Sequence, residues 1–279
     1  MKVAVTGASG FVGTHVLRAL ASHQDIELIG VSRRPLPADL GGRVQHVTMD
    51  IGEAAATDFD ALGRPQVLIH LAWGFLSNFR SHEHFEVETH RHYRFLKSLV
   101  QSGLKSILCT GTCLEYGMRC GPLTEDLAPD PRLAYPFAKD LLRRQLSFLQ
   151  SVQPFELTWA RLFYVFGEGQ PASTLYSQLL AAIQRGEHTF RMSRGEQLRD
   201  YLPVAQMAGH LADLALRAPG SGIVNVGSGR PVSVRSLVEQ WLSERNYEMQ
   251  LQLGHYPYPD YEPMAFWADT GRLRTLVGA

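Results

Sequence analysis

Tyr135 and Lys139 stand four residues apart in the stretch Tyr135-Pro136-Phe137-Ala138-Lys139, a spacing that can join a phenol and an ammonium into one proton-donating device. Pro136 suits the first turn of a helix, where a missing N–H costs nothing. Four helical residues advance about 6 Å along the axis, so both side chains leave one face. A free tyrosine titrates at a pKa of about 10, and a neighbouring cation favours its phenolate, which brings proton donation nearer to neutral pH. The same pair also arises by chance in many helices. The elements that would position it therefore carry the argument.

Val3-Ala4-Val5 is a short buried-strand signal, followed by the turn Gly7-Ala8-Ser9-Gly10-Phe11-Val12-Gly13 and a helical run through Val16, Leu17 and Leu20. Strand, glycine turn and helix form a dinucleotide-binding opening. Gly7 permits the tight turn, Gly10 lets a pyrophosphate approach the backbone, and Gly13 allows the helix to pack closely on the strand, with phosphates at the helix N-terminus. A second strand runs from Glu27 to Val31. Its far end carries Ser32-Arg33-Arg34 where an acid would bind a ribose 2'-hydroxyl, and Asp25 and Glu27 lie at the wrong end. Arg33 or Arg34 on a 2'-phosphate favours NADP(H), with NAD(H) as the alternative.

Further strands are expected over Val44–Met49, with Asp50-Ile51 placed to border an adenine, then over 67–72, Lys105–Cys109 and Phe155–Ala160. His70 lies in an apolar run and reads as a satisfied core histidine. A helix over 82–101 would present Phe85, Thr89, Tyr93, Leu96 and Val100. His82, His84, His90 and His92 lack the i, i+4 spacing of a metal pair, so no metal is expected. The helix from Pro136 to Ser151 has one stripe through Ala138, Leu142, Leu146 and Leu149 for the sheet. A second, through Phe137, Leu141 and Phe148, fits either a second subunit or deeper burial. Helices over 172–185 and 233–245, one ending near Leu216, and a strand Val224-Asn225-Val226 follow; Tyr256 to Tyr261 reads as a loop.

The 279 residues balance 27 lysines and arginines against 27 aspartates and glutamates, so nothing asks for nucleic acid. A glycine at position 7 precedes any signal-peptide apolar region, and no window approaches the ~18 apolar residues of a membrane helix, so a cytoplasmic protein is expected. Cys109, Cys113 and Cys120 fit a reducing compartment, without a disulfide.

Taken together, several motifs resemble those of the extended short-chain dehydrogenases/reductases, the epimerase/dehydratase-like enzymes of nucleotide-linked sugars. They are the turn Gly7 to Gly13, Thr112 four residues before Tyr116-Gly117, Tyr135 with Lys139, Arg161 to Gly167, Arg199-Asp200, and Asn225-Val226-Gly227-Ser228-Gly229. The resemblance implies an α/β fold with a Rossmann-type doubly wound parallel sheet over 1–167 and about 200–229. It also implies a smaller C-terminal substrate lobe over about 168–199 and 230–279.

The same resemblance implies roles. Tyr135 is the acid, Lys139 binds the nicotinamide ribose and lowers the tyrosine's pKa, and Thr112 is the catalytic hydroxyl. The cofactor set is Gly7, Ser9, Gly10, Phe11, Val12, Gly13, Ser32, Arg33, Arg34, Asp50, Ile51, Leu71, Ala72, Trp73, Tyr135, Lys139 and Leu162. The substrate set is Gly74, Thr112, Cys113, Tyr135, Tyr164 and Arg199, with Arg199 on a pyrophosphate or, alternatively, paired with Asp200. Tyr164 and Leu202-Pro203 depart from the family's common asparagine and isoleucine-histidine.

Cys113 and Leu114 stand where family dehydratases carry an aspartate-glutamate pair, and Leu114 where some epimerising members carry a cysteine. Bare redox chemistry at a ketone or alcohol survives. The stretches Leu71-Ala72-Trp73-Gly74, Ser81-His82-Glu83-His84-Phe85, Gly111 to Met118 and Ala138 to Arg143 are most similar to the C4 reductases of deoxysugar pathways. That implies reduction of a nucleotide-linked 6-deoxy-4-ketohexose, dTDP-4-dehydro-L-rhamnose to dTDP-6-deoxy-L-talose being favoured, in a homodimer. A 4-epimerase with tightly held cofactor and a non-catalytic NADP-binding sensor are the rival expectations.

Overall fold

Seven apolar runs pair in parallel to make the central sheet: β1 (Lys2–Thr6), β2 (Glu27–Ser32), β3 (Val44–Thr48), β4 (Val67–His70), β5 (Ser106–Thr112), β6 (Glu156–Leu162) and β7 (Gly222–Val226). Their near-continuous hydrophobicity follows from burial on both faces. In this computed structural model, which describes residues 1–53 and 58–278, the strand order is β7-β6-β5-β4-β1-β2-β3. The chain reverses its direction of travel between β1 and β4. A crevice opens there at the carboxyl ends of the strands, as it does in doubly wound sheets.

Helices cover both faces. On one, Val16, Leu17 and Leu20 of α1 (Phe11–Ala21) share a core with Leu211 and Leu214 of the later helix over Val204–Arg217. On the other, Phe95, Leu96 and Leu99 of α2 (Thr89–Gln101) meet Leu142, Leu146 and Leu149 of α3 (Ala134–Val152). The stripe expected on α3 for the sheet is the buried one. The second stripe is not buried deeper: Phe137 is 47% and Phe148 77% exposed, and Leu141 is half-buried.

The helix expected over 82–101 is interrupted. A π-helical turn, His84–Glu88, precedes α2 and shifts its register, as such turns do by adding a residue. The buried side becomes His84, Glu88, Thr89, His92, Phe95, Leu96, Leu99 and Val100, while Phe85 and Tyr93 of the expected stripe are only half-buried. A second difference is in β5, which runs on to Thr112 rather than stopping at Cys109, because Thr110 and Thr112 still pair with Ala160 and Leu162. That extension brings the Thr112 hydroxyl to the carboxyl edge of the sheet.

Past β6 the chain builds a separate small core. Leu179 of α4 (Leu175–Gln184), Phe190 of the strand Thr189–Arg191, and Leu237, Val238 and Trp241 of the helix over Val234–Ser243 pack together, with Phe166 and Tyr201 against them. The strands Tyr164–Phe166, Leu198–Pro203 and Pro231–Ser233 form a three-stranded sheet beside it. Three later elements escape the sequence reading: the strand Gln250–Gln252, paired in parallel with Thr189–Arg191, the strand Phe266–Ala268, paired in parallel with Gly121–Leu123, and the helix Gly271–Val277.

The opening turn shows why its glycines are needed. Gly7 has φ +68°, and a Cβ on it would stand 2.8 Å from the Ala72 nitrogen; a Cβ on Gly13 would stand 2.2 Å from the Gly7 carbonyl oxygen. Gly13→Ala is therefore expected to force helix and strand apart, costing about 1–3 kcal/mol, read as a lower urea midpoint.

Candidate active site

The crevice at the β1–β4 junction is a cleft of about 550 Å³. The glycine turn forms its floor. Helix α1 begins at Gly10 with no side-chain cap and no acid in its first turn, so its leading N–H groups are left to an anion. The structure brings Gly7, Ser9, Gly10, Phe11, Val12, Gly13, Ser32, Arg33, Arg34, Asp50, Ile51, Leu71, Ala72, Trp73 and Gly74 onto this one cleft. An uncapped helix start over a glycine cradle fits a dinucleotide pyrophosphate. At the far rim Arg33 and Arg34 are exposed, with Arg33 3.8 Å from Asp50 and Arg91 3.1 Å from the same carboxylate. Leu162, Tyr135 and Lys139 do not line the cleft; Leu162 packs, half-buried, against the core at the end of β6, and Lys139 and Tyr135 lie behind Trp73 of the cleft wall.

Tyr135 lies in the first turn of α3 and Lys139 one turn on. Lys139 is buried; its Nζ donates to the Thr110 carbonyl at 2.9 Å and sits 4.0 Å from the centre of the Trp73 ring and 5.9 Å from that of Tyr135. The Tyr135 ring is half-buried and stacks on Phe79 at 5.0 Å, with His84 at 5.3 Å and Trp73 edge-on at 6.2 Å. Thr112 ends β5 and caps the turn Cys113–Tyr116. Its Oγ1 accepts from the Leu114 N–H at 3.3 Å, which leaves the hydroxyl hydrogen for another acceptor.

The electrostatics differ from expectation. Burial, with Glu115 and Cys113 nearby, raises the Tyr135 phenol above its ordinary value, and burial pulls Lys139 down to about 8. The ammonium is bonded to the Thr110 carbonyl and lies against the Trp73 ring, and burial outweighs its field at Tyr135.

Sequence reasoning missed the groups behind these residues. Glu115 is fully buried and accepts from the Thr112 N–H (2.9 Å), Trp159 Nε1 (3.1 Å) and Arg161 Nε (2.7 Å), so one carboxylate fixes the backbone of Thr112. A second buried chain runs beneath the cleft. Thr6 Oγ1 meets His70 Nδ1 at 2.8 Å, His70 Nε2 meets His92 Nδ1 at 2.8 Å, and His92 Nε2 meets Glu88 Oε2 at 3.2 Å. Burial alone would raise Glu88, but bonds from His92 and the Gly74 N–H, with Arg91 nearby, hold it at about 2. His84, Glu88 and His92 recur every four residues, a signal visible in the sequence once the glutamate is read with the histidines. Among the described residues no cluster of three or more His, Cys, Asp or Glu could hold a metal ion.

The remaining expected substrate residues gather away from this cleft. Cys113 lies in a small core with Phe266, and Tyr164 packs against it. Arg199 is not paired with Asp200. Neighbours on a strand point to opposite faces, so Arg199 donates to Glu262 at 2.9 and 3.2 Å and lies 4.6 Å from the Phe266 ring centre. Tyr164 donates its hydroxyl to the same Glu262. Asp200, on the other face, accepts from the N–H groups of Ser228, Gly229 and Ala268.

The class that this fold and cleft define is that of the dinucleotide-dependent oxidoreductases. The chain belongs to the NAD dependent epimerase/dehydratase family, whose sequence model matches residues 3–227. It is 28% identical over 277 residues to the dTDP-6-deoxy-L-talose 4-dehydrogenase (NAD(+)) of Aggregatibacter actinomycetemcomitans, covering 96% of this chain and 99% of that one. To the GDP-6-deoxy-D-talose 4-dehydrogenase of the same organism it is 22% identical over 257 residues, covering 90% and 83%. Among solved structures, MoeE5 in complex with UDP-glucuronic acid and NAD superposes with a TM-score of 0.84 at 27% identity, covering 100% of this chain and 93% of that one. The UDP-glucuronic acid 4-epimerase of Bacillus cereus shares the fold, with a TM-score of 0.85 at 21% identity and the same coverage.

Glu115→Val would leave the Arg161 guanidinium, already without partners for two of its nitrogens, as an uncompensated buried charge. The expected loss is about 3–5 kcal/mol in urea unfolding. Adding Arg161→Leu should recover part of it, as expected of coupled partners.

Proposed function

We propose that the protein reduces C4 of a nucleotide-linked 6-deoxy-4-ketohexose, with dTDP-4-dehydro-L-rhamnose to dTDP-6-deoxy-L-talose as the favoured conversion. The observation that carries this reading is Lys139 Nζ lying 5.9 Å from the Tyr135 ring centre while it donates to Thr110 of the strand that ends at Thr112, with Cys113 and Leu114 supplying neither an acid-base pair nor the epimerising cysteine. Similarity to two deoxytalose 4-dehydrogenases supports the sugar class.

When bound, the nicotinamide supplies a hydride for the C4 carbon. The chain's own residues handle the oxygen. Thr112, its Oγ1 already accepting from Leu114, donates its hydrogen to the carbonyl oxygen and orients it. Tyr135 transfers its proton to that oxygen as negative charge develops there. A phenol raised by burial stays protonated at neutral pH, which suits a donor in the reducing direction. The Lys139 ammonium, one turn away, offsets the phenolate charge left behind.

The remaining assignments follow the same reading. NADP(H) is favoured because Ser32-Arg33-Arg34 close β2 with no acid, and Asp50 is already met by two arginines. The small core supports a substrate lobe over about 168–199 and 230–279, with the dinucleotide domain over 1–167 and about 200–229. Exposed Phe137 and Phe148 on α3 support a homodimer through that helix.

Three measurements test the proposal. NADPH oxidation with dTDP-linked and GDP-linked 4-keto sugars, with NMR of the product, should show net reduction at C4; product without net NADPH consumption would mean an epimerase. Tyr135→Phe should lower turnover by about 10²–10⁴-fold while NADPH binding stays nearly unchanged. NADPH should bind at least about tenfold more tightly than NADH, a preference that Arg33→Ala combined with Arg34→Ala should erase. Tighter NADH binding would sink the 2'-phosphate assignment.

A further inference from the structure

Lys139 keeps its charge in an almost dry place. Among the described residues its ammonium makes one hydrogen bond, to the Thr110 carbonyl, and the nearby carboxylates serve other donors: Glu115 holds Thr112 and Arg161, Glu88 holds His92 and Gly74. The group that lies against the ammonium is an indole. Its nitrogen is 4.0 Å from the Trp73 ring centre, well inside the ~6 Å reach of cation–π attraction.

That indole is clamped. Trp73 Nε1 donates to His84 Nδ1 at 3.0 Å, and the other nitrogen of His84 faces the Asn78 carbonyl at 3.0 Å. The His92 imidazole stacks on the indole at 4.4 Å, with the two planes 10° apart. An imidazolium in that position would repel the ammonium. The buried chain disfavours it: the Glu88 carboxylate accepts from His92 Nε2–H, so His92 Nδ1 accepts from His70 Nε2–H, and His70 Nδ1 accepts from the Thr6 hydroxyl. One proton per link leaves both rings neutral and their orientation fixed.

We propose that Trp73 is a positioning residue for the reaction: its indole face keeps the Lys139 ammonium charged and in place beside Tyr135, and the Thr6–His70–His92–Glu88 chain holds that indole in register. This rests on reading Lys139 as the cation that supports the proton donor. The sign follows from the charged form being the one attracted to the ring. Burial pulls Lys139 down, and the indole opposes burial. The other groups facing Lys139 are Cys109 from β5, Glu115 from the turn after it, Glu88 from the π turn, His70 from β4, His84 and His92 from the π turn and α2, and Tyr135 on its own helix. Of these, Cys109, Glu115, Glu88 and His70 have no hydrogen bond or ring contact with Trp73, whereas His84 loses the indole donor and His92 and Tyr135 lose a ring contact when Trp73 is replaced, which is why Trp73→Phe and the fluorinated indoles accompany Trp73→Leu.

The chain's lysines are Lys2, Lys97, Lys105 and Lys139, so full-length protein labelled with ¹³C-lysine gives a resolvable Cε titration, with Lys139 assigned from Lys139→Met. Trp73→Leu should move the Lys139 midpoint down by about one pH unit, and Trp73→Phe by less. The alkaline limb of kcat/KM should fall in pH by the same amount. A midpoint unchanged or raised in Trp73→Leu overturns the proposal. Should that variant fail to fold, wild-type chain grown on mono- and difluorotryptophan weakens the ring without changing its shape. The midpoint should then fall stepwise, and constancy would be equally fatal. Because the titration needs neither substrate nor turnover, it can fail while the reductase reading stands, and the reverse holds for Tyr135→Phe.

Discussion

A lysine ammonium loses several kcal/mol of hydration when it is buried, and that cost has to be offset by groups the fold puts there in water's place. Around Lys139 the substitutes are few: the carbonyl of Thr110, and the face of Trp73. Both depend on the sheet. Thr110 faces the ammonium because β5 runs past Cys109 to Thr112, and Trp73 comes three residues after His70, the end of β4. The parallel sheet thus supplies the lysine's surroundings from two adjacent strand ends, and α3 delivers the lysine to them.

The π turn at His84–Glu88 is the local irregularity on which the rest of the cleft's support depends. Without it Glu88 and His92 would rotate away from β4, and His70 Nε2 would lose its partner while Nδ1 kept Thr6. With it, a threonine, two histidines and a glutamate form one continuous hydrogen-bonded line, and Glu88 has an oxygen left for the Gly74 N–H. Buried polar groups are tolerated when every member of the line is satisfied. This line meets that condition while touching the indole under the lysine.

The large-scale fold was legible because it is written in short-range patterns: apolar runs of strand length, a glycine turn that only glycines can make, and a helix stripe through Leu142 and Leu146. The cleft was legible too, since strand ends determine it. Less could be read where two distant segments decide the outcome. Glu262 holds Arg199 across 63 residues, Glu115 meets Arg161 across 46, and the strand Phe266–Ala268 exists because Gly121–Leu123 offers it an edge. The raised phenol of Tyr135 is of the same kind. Spacing showed that a cation stands one turn away, but the balance between its field and desolvation depends on how tightly Phe79, His84 and Trp73 enclose the ring.

The bare start of α1 has a consequence for the protein as a whole. Because Gly10 offers the leading amides no side-chain acceptor, a bound dinucleotide would complete a part of the backbone that the chain leaves unfinished. Occupancy and folding are then one linked equilibrium, in which each tenfold excess of ligand over its dissociation constant adds about 1.4 kcal/mol to the native state. The abundance of the intact protein would follow the supply of its nucleotide, quite apart from any catalysis.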